Sequence, residues 1–151
     1  MIRRRRARTD DPEIIRLIIR ELIPLSYTTS PRDAQAIRDL PKRLRDGVTF
    51  VAARTKTSTP MGFVHLYIRG ETLLYDMLAV HPQHRGKQLG TQLMAQGEAY
   101  GRIHKCKTAR LFVDYSNPRA MRLYTQLGYK TVRELPDYQC YEMIKSLTTS
   151  F

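Results

Sequence analysis

The segment Leu78-Ala-Val-His-Pro-Gln-His-Arg-Gly-Lys-Gln-Leu-Gly90 constrains this chain more than any other. Its first residues close an apolar strand, Pro82 marks a turn, and a glycine-spaced basic loop follows. That loop runs into residues 91–101, whose pattern reads as a helix. A strand that feeds such a loop into a helix start gathers free backbone N–H groups at the positive end of the helix dipole. The combination predicts a phosphate or pyrophosphate site built from residues 85–91. Arg85 and Lys87 add charge beside it, and Gly86 and Gly90 remove side chains where a ligand approaches the backbone. The alternative is a surface turn whose basic residues are only solvated.

Elsewhere the periodicity alternates between strand and helix. Residues 2–7 read as a first strand carrying four consecutive arginines. Asp10 or Asp11 is expected to cap a helix with Pro12 in its first turn, and Ile14, Leu17, Ile18 and Leu22 fall on one face until Pro24. Ser30-Pro31 restarts a helix through Ala34, Ile37 and Leu40, and Pro41 breaks or kinks it. Residues 48–54, 61–68 and 72–80 read as strands, the last two joined by a turn at Arg69-Gly70-Glu71. Residues 109–115 form another strand. Asn117-Pro118 opens a short helix that Gly128 closes, and residues 129–133 and 138–145 make two final strands. No repeat or linker interrupts this order, so the expectation is one α/β domain over residues 1–151 with a mixed sheet.

Charge and cysteine content narrow the surroundings. The chain carries 26 basic and 14 acidic residues, a net charge of +12, which suits contact with a polyanion or a phosphate-rich cofactor. A nucleic-acid partner is disfavoured because no aromatic-basic stacking motif accompanies the charge. No apolar run is long enough to cross a bilayer. Cys106 and Cys140 are the only cysteines and neither sits in a CxxC, so a reduced, cytoplasmic setting is expected. The four histidines form no HxxxH or HExxH pair, and no metal site is expected.

Two further positions carry possible chemistry. Asp76 is the lone carboxylate of the apolar strand Leu73-Leu-Tyr-Asp-Met-Leu-Ala-Val80. A carboxylate there is either a general base with a raised pKa or a structural group paired with a donor. Tyr124 lies two turns beyond Asn117, where a phenol can protonate a leaving thiolate or simply fill the core with Ala120 and Leu127.

Together these stretches resemble the GNAT superfamily of acyl-CoA-dependent N-acetyltransferases. The loop pattern Arg/Gln-x-x-Gly-x-Gly/Ala appears as Arg85-Gly86-Lys87-Gln88-Leu89-Gly90, with Gln88 in place of the middle glycine. The later pattern appears as Asn117, Ala120, Tyr124 and Gly128-Tyr129. The order of elements agrees from Ile2 to Lys145. The resemblance implies a GNAT-like mixed, mostly antiparallel sheet flanked by helices and splayed between the fourth and fifth strands. Acetyl-CoA would lie in that gap, its pantetheine arm pairing with the strand at Leu78, Ala79 and Val80. Its pyrophosphate would rest on Arg85, Gly86, Lys87, Gln88, Leu89, Gly90 and Thr91. Asn117 and Ala120 would contact the arm, Tyr124 would protonate the thiolate, and Asp76 would act as base directly or through water. The implied activity is acetyl transfer by direct attack of a small-molecule or peptide amine. A non-catalytic acyl-CoA-binding module of the same fold is the rival, and a homodimer is compatible with either.

Overall fold

Alternating apolar residues build one seven-stranded sheet in the computed structural model, which describes residues 1–148. The strands are β1 (Ile2–Arg4), β2 (Val48–Ala52), β3 (Gly62–Arg69), β4 (Thr72–Val80), β5 (Thr108–Asp114), β6 (Lys130–Leu135) and β7 (Cys140–Ser146). Their order across the sheet is β1-β2-β3-β4-β5-β7-β6. All neighbours are antiparallel except β4 and β5, which run parallel.

The parallel pair is short. It is registered only at Thr72–Thr108, Leu73–Ala109 and Leu74–Arg110, after which the strands diverge. β4 is bent at the same place. Leu66 of β3 faces Tyr75 while His65 faces Met77, so Asp76 has no partner and forms a bulge. An extra residue reverses the facing of everything after it, because strand side chains alternate. Leu73 and Tyr75 accordingly pack into one core, whereas Met77 and Ala79 pack into the other.

Among the described residues five α-helices cover the two faces: α1 (Ala7–Leu17), α2 (Ala34–Arg38), α3 (Leu40–Arg45), α4 (Leu89–Ile103) and α5 (Pro118–Gln126). Ile14 and Leu17 of α1 join Leu40 and Leu44 of α3 against Val51, Phe63 and Met77. On the opposite face Leu93 and Met94 of α4 meet Val64, Leu66, Leu73, Tyr75 and Leu111. Gly97 is what lets α4 lie so close to the sheet. A Cβ there would stand 2.5 Å from the Tyr75 hydroxyl, which itself donates to the Met94 carbonyl at 2.6 Å. Beyond Leu17, α1 widens into a π turn over Ile18–Leu22 and a 3-10 turn over Ile23–Leu25.

The sequence expectations for the first third need correction. α1 begins at Ala7, without a side-chain cap at its start, and Pro12 lies inside it. Asp10 is not free to cap from outside, because it is buried within the first turn. There it accepts from the Arg6 N–H at 2.7 Å and from the Arg3 guanidinium at 2.7 and 3.0 Å. The next helix starts after Asp33, whose carboxylate accepts from the Ala36 N–H, rather than at Ser30-Pro31. Asp39 separates α2 from α3, and Pro41 sits in the first turn of α3, where its missing N–H is harmless.

Candidate active site

The divergence of β4 from β5 leaves the backbone of residues 75–80 unpaired on its β5 side. A cleft opens there in two lobes, each of ≈ 510 Å³. Leu78, Asn117, Ala120 and Tyr124 line both lobes and mark the waist between them.

The first lobe is the basic-loop side. His81 Nδ1 accepts from the Gln83 N–H, and a 3-10 turn over Pro82–His84 carries the chain from β4 to the loop. Gly86 has φ +81° and Gln88 φ 60°, both left-handed. The loop position that departs from the family pattern therefore keeps the backbone that a glycine would adopt, with a side chain attached. α4 then starts at Leu89 with no side-chain cap. Its first intrahelical bond beyond the loop runs from the Gln92 N–H to the Gln88 carbonyl, so the N–H groups of Leu89, Gly90 and Thr91 point out of the helix start. Gly90 serves packing as well, since a Cβ there would stand 3.2 Å from Leu123 of α5.

Charge around this lobe is arranged differently from what the loop suggests. The Arg85 guanidinium pairs with Glu21 of the π turn at 3.1 Å. Arg119 and Arg122 of α5 line the lobe and supply further positive charge. The sequence reading missed both; their i, i+3 spacing, each one residue before an apolar position of the helix (Ala120 and Leu123), was the available signal. Asn117 caps α5, its Oδ1 accepting from the Ala120 N–H at 3.2 Å. Its amide NH2 remains as a donor at the waist.

Tyr124 is buried, with its ring edge-on to Tyr129 at 6.1 Å between centroids. Tyr129 is itself anchored, donating to Glu98 at 2.9 Å, and Lys145 pairs with the same carboxylate at 2.8 Å. The Tyr124 hydroxyl has no hydrogen-bond partner among the described residues. Burial pushes its pKa up, so the phenol stays protonated until a strong acceptor appears.

The second lobe lies against α3, the turns over residues 18–25, and the β5–β7 side of the sheet. Asp76 enters it from the bulge, and both its oxygens are taken by Arg43 of α3, at 3.0 and 2.6 Å. His65 Nε2 lies 3.6 Å from the same carboxylate, and its Nδ1 shares a 2.8 Å hydrogen bond with Thr49. Burial lowers the His65 pKa against the pull of Asp76. This chain of Thr49, His65, Asp76 and Arg43 bridges three strands and a helix.

The N-terminal arginines, which gave the sequence its densest positive cluster, are mostly engaged internally. Arg3 pairs with Asp10, Arg5 pairs with Asp11 at 2.5 and 2.8 Å, and Arg4 stacks near the rings of Phe50 and Tyr100. Among the described residues no helix is long and apolar enough to cross a membrane.

The mixed sheet is split at a short parallel pair, with an uncapped helix start beside the split, which is the arrangement that the two sequence motifs implied by resemblance. The chain belongs to the acetyltransferase (GNAT) family, whose model matches residues 13–129. A mycothiol acetyltransferase of Stackebrandtia nassauensis is 43% identical over 53 residues, 35% of this chain. The match spans 17% of that longer protein. A Klebsiella pneumoniae protein described as an acyl-CoA N-acyltransferase superposes with TM-score 0.73 at 28% identity, covering 98% of this chain and 97% of its own. A GNAT-family acetyltransferase of Staphylococcus aureus shares the fold with TM-score 0.78 at 13% identity, over 98% of this chain and 99% of its own. The GNAT-like fold expected from the two sequence motifs is the fold observed.

Proposed function

We propose that the protein transfers the acetyl group of acetyl-CoA to a primary amine by direct attack of the neutral amine. The position of Tyr124 carries this reading: one phenol at the waist between a lobe suited to phosphates and a lobe lined by carboxylates. The first lobe fits the co-substrate. The free N–H groups of Leu89, Gly90 and Thr91 and the dipole of α4 would hold the pyrophosphate. Lys87, Arg119 and Arg122 would add charge, and the left-handed backbone at Gly86 and Gln88 would shape the loop around it. The unpaired backbone of Leu78, Ala79 and Val80 would bond the pantetheine arm as an added strand does. Asn117 would give its amide hydrogens to that arm, with Ala120 keeping the path narrow.

Acetyl-CoA supplies an acyl group activated as a thioester. Tyr124 would pass its proton to sulfur as the C–S bond breaks. Burial penalises a thiolate as it does a phenolate, so the two acidities stay comparable inside the cleft. Asp76 stands differently from the base that the resemblance implies. Both its oxygens accept from the Arg43 guanidinium, and it stands beside α3 rather than at the waist with Tyr124. We assign it to positioning: it fixes α3 over the sheet and so sets the wall of the second lobe. The proton released by the nitrogen then leaves through water in the cleft.

The test is twofold. Millimolar acetyl-CoA, and desulfo-CoA equally, should raise the melting temperature by several degrees, since a ligand at about 100 times its Kd adds about 2.7 kcal/mol. A panel of primary amines should release free CoA from acetyl-CoA. No melting shift with either CoA compound rules out the co-substrate; a shift without CoA release from any amine leaves a binding module.

A further inference from the structure

The second lobe is lined by three side chains that carry full charge: Arg43, Asp76 and Asp114. Arg43 and Asp76 neutralise each other in a two-point ion pair. Asp114 has no ion or side-chain hydrogen-bond partner among the described residues; its backbone carbonyl accepts from the Asn117 N–H at 3.0 Å. Burial alone pushes its carboxyl pKa up, with no neighbouring cation or donor to oppose it. A half-buried carboxylate left without a partner is costly, and a ligand that supplies a cation removes the cost.

Facing places Asp114 toward the second lobe. Ala109, Leu111 and Val113 of β5 point into the core beneath α4, so Phe112 and Asp114 point to the opposite face. Asp76 meets α3 on that same face, across the split in the sheet. Asp114 ends its strand three residues before Asn117, at the waist, on the same cleft wall that leads to Tyr124. Ser26, Thr28 and Thr29 give the lobe some polar lining, but the mouth nearest Asp114 carries aromatic and aliphatic side chains. Phe112 is 50% exposed and Tyr138 59% exposed at the mouth, with Leu25 and Leu135 beside them.

We propose that Asp114 is the counter-ion that captures the acceptor's ammonium group, which gives up one proton to water in the cleft before the neutral amine attacks, and that the acceptor is a primary amine bearing one positive charge on an apolar or aromatic carrier. This rests on the acetyl-transfer reading above and narrows its acceptor class. One unpaired carboxylate balances one ammonium. A polyamine brings further charges that this lobe leaves unbalanced, in a protein of net charge +12. An amine that also bears a carboxylate meets Asp114 with like charge.

The experiment measures kcat/KM with saturating acetyl-CoA for 2-phenylethylamine, spermidine and glutamate, in the wild type and in Asp114→Asn and Asp114→Ala. The acetyl-CoA melting shift is recorded for each protein. We expect 2-phenylethylamine to exceed the other two by tenfold or more. Both variants should raise its KM about tenfold or more, the range of a lost charged hydrogen bond, while the acetyl-CoA shift is retained. A retained shift with unchanged KM in the variants overturns the assignment of Asp114. So does a wild-type preference for spermidine or glutamate, or a retained shift with no turnover of 2-phenylethylamine. Absence of the shift in the wild type removes the co-substrate reading itself, and this inference with it.

Discussion

Gln88 offers a direct test of how the loop is built. Its φ of 60° places an L side chain in the left-handed region, which costs about 1–2 kcal/mol relative to right-handed backbone. Glycine removes that cost but loses about 0.5–1 kcal/mol more backbone entropy on folding. Gln88→Gly should therefore stabilise the protein by about 0.5–1 kcal/mol. For a chain of this length that is a rise in melting temperature of about 1–4 °C. Gln88→Ala keeps the Cβ and should change little, whereas Gln88→Val adds a β-branch at the same φ and should destabilise by about 1 kcal/mol or more. Thermal and urea unfolding of the unliganded protein read the order Gly above Gln and Ala, and Val lowest. The acetyl-CoA Kd should move less than about threefold in Gln88→Gly, because the N–H groups already have their glycine-like placement. If Val matches Gln, or Ala gains as much as Gly, the left-handed account of this loop is wrong.

Tyr124→Phe removes one oxygen that has no hydrogen-bond partner among the described residues, so the melting temperature should hold while kcat falls about 10²-fold or more with little change in the acetyl-CoA KM; unchanged kcat takes Tyr124 out of the chemistry. Asp76→Asn should lower stability by about 1 kcal/mol, a figure discounted because the Arg43 side chain is 50% exposed, and should lower the rate by the same factor from pH 7 to 9. A deficit that disappears at high pH, where the free amine is abundant, would restore Asp76 as the base. Gly97→Ala should cost about 1–3 kcal/mol in urea unfolding, because a Cβ 2.5 Å from the Tyr75 hydroxyl outweighs the ~1 kcal/mol gain in helix propensity; a stabilised variant would show that α4 can lift off the sheet without penalty.

What the sequence made legible was local. The strand-loop-helix at residues 78–101 and the capped helix at residues 117–128 each announce themselves within a few turns, through glycine, proline and a capping asparagine. β4 was readable to the residue because its apolar run is bounded by a tight turn and a proline. What stayed hidden depends on distant partners. Asp10 looks like an outward cap until Arg3 folds over it. Asp76 looks like a lone carboxylate until Arg43, 33 residues earlier, closes on it. Arg85 looks free until Glu21 reaches it from 64 residues away. Asp114 was not singled out because its strand position is ordinary; its meaning lies in the absence of a partner within a cleft. The left-handed backbone at Gln88 could not be read from glutamine itself; the only signal was the glycine that the family pattern has at that position.

The early end of the β4–β5 pairing has a further consequence for how this protein survives at high concentration. Exposed sheet edges recruit other chains, and proteins defend them with charge or cover. Here one outer edge, β1, is only three residues long, and the other, β6, carries Lys130, Arg133 and Glu134. The unpaired flank of β4 is defended by geometry instead. It faces inward across the cleft, between α5 and the turns over residues 18–25. A strand of a folded neighbour is attached to its own sheet and cannot enter sideways, whereas a slender extended molecule can slide in along the gap. The fold thus keeps hydrogen-bonding capacity in the middle of its sheet without presenting a template for aggregation.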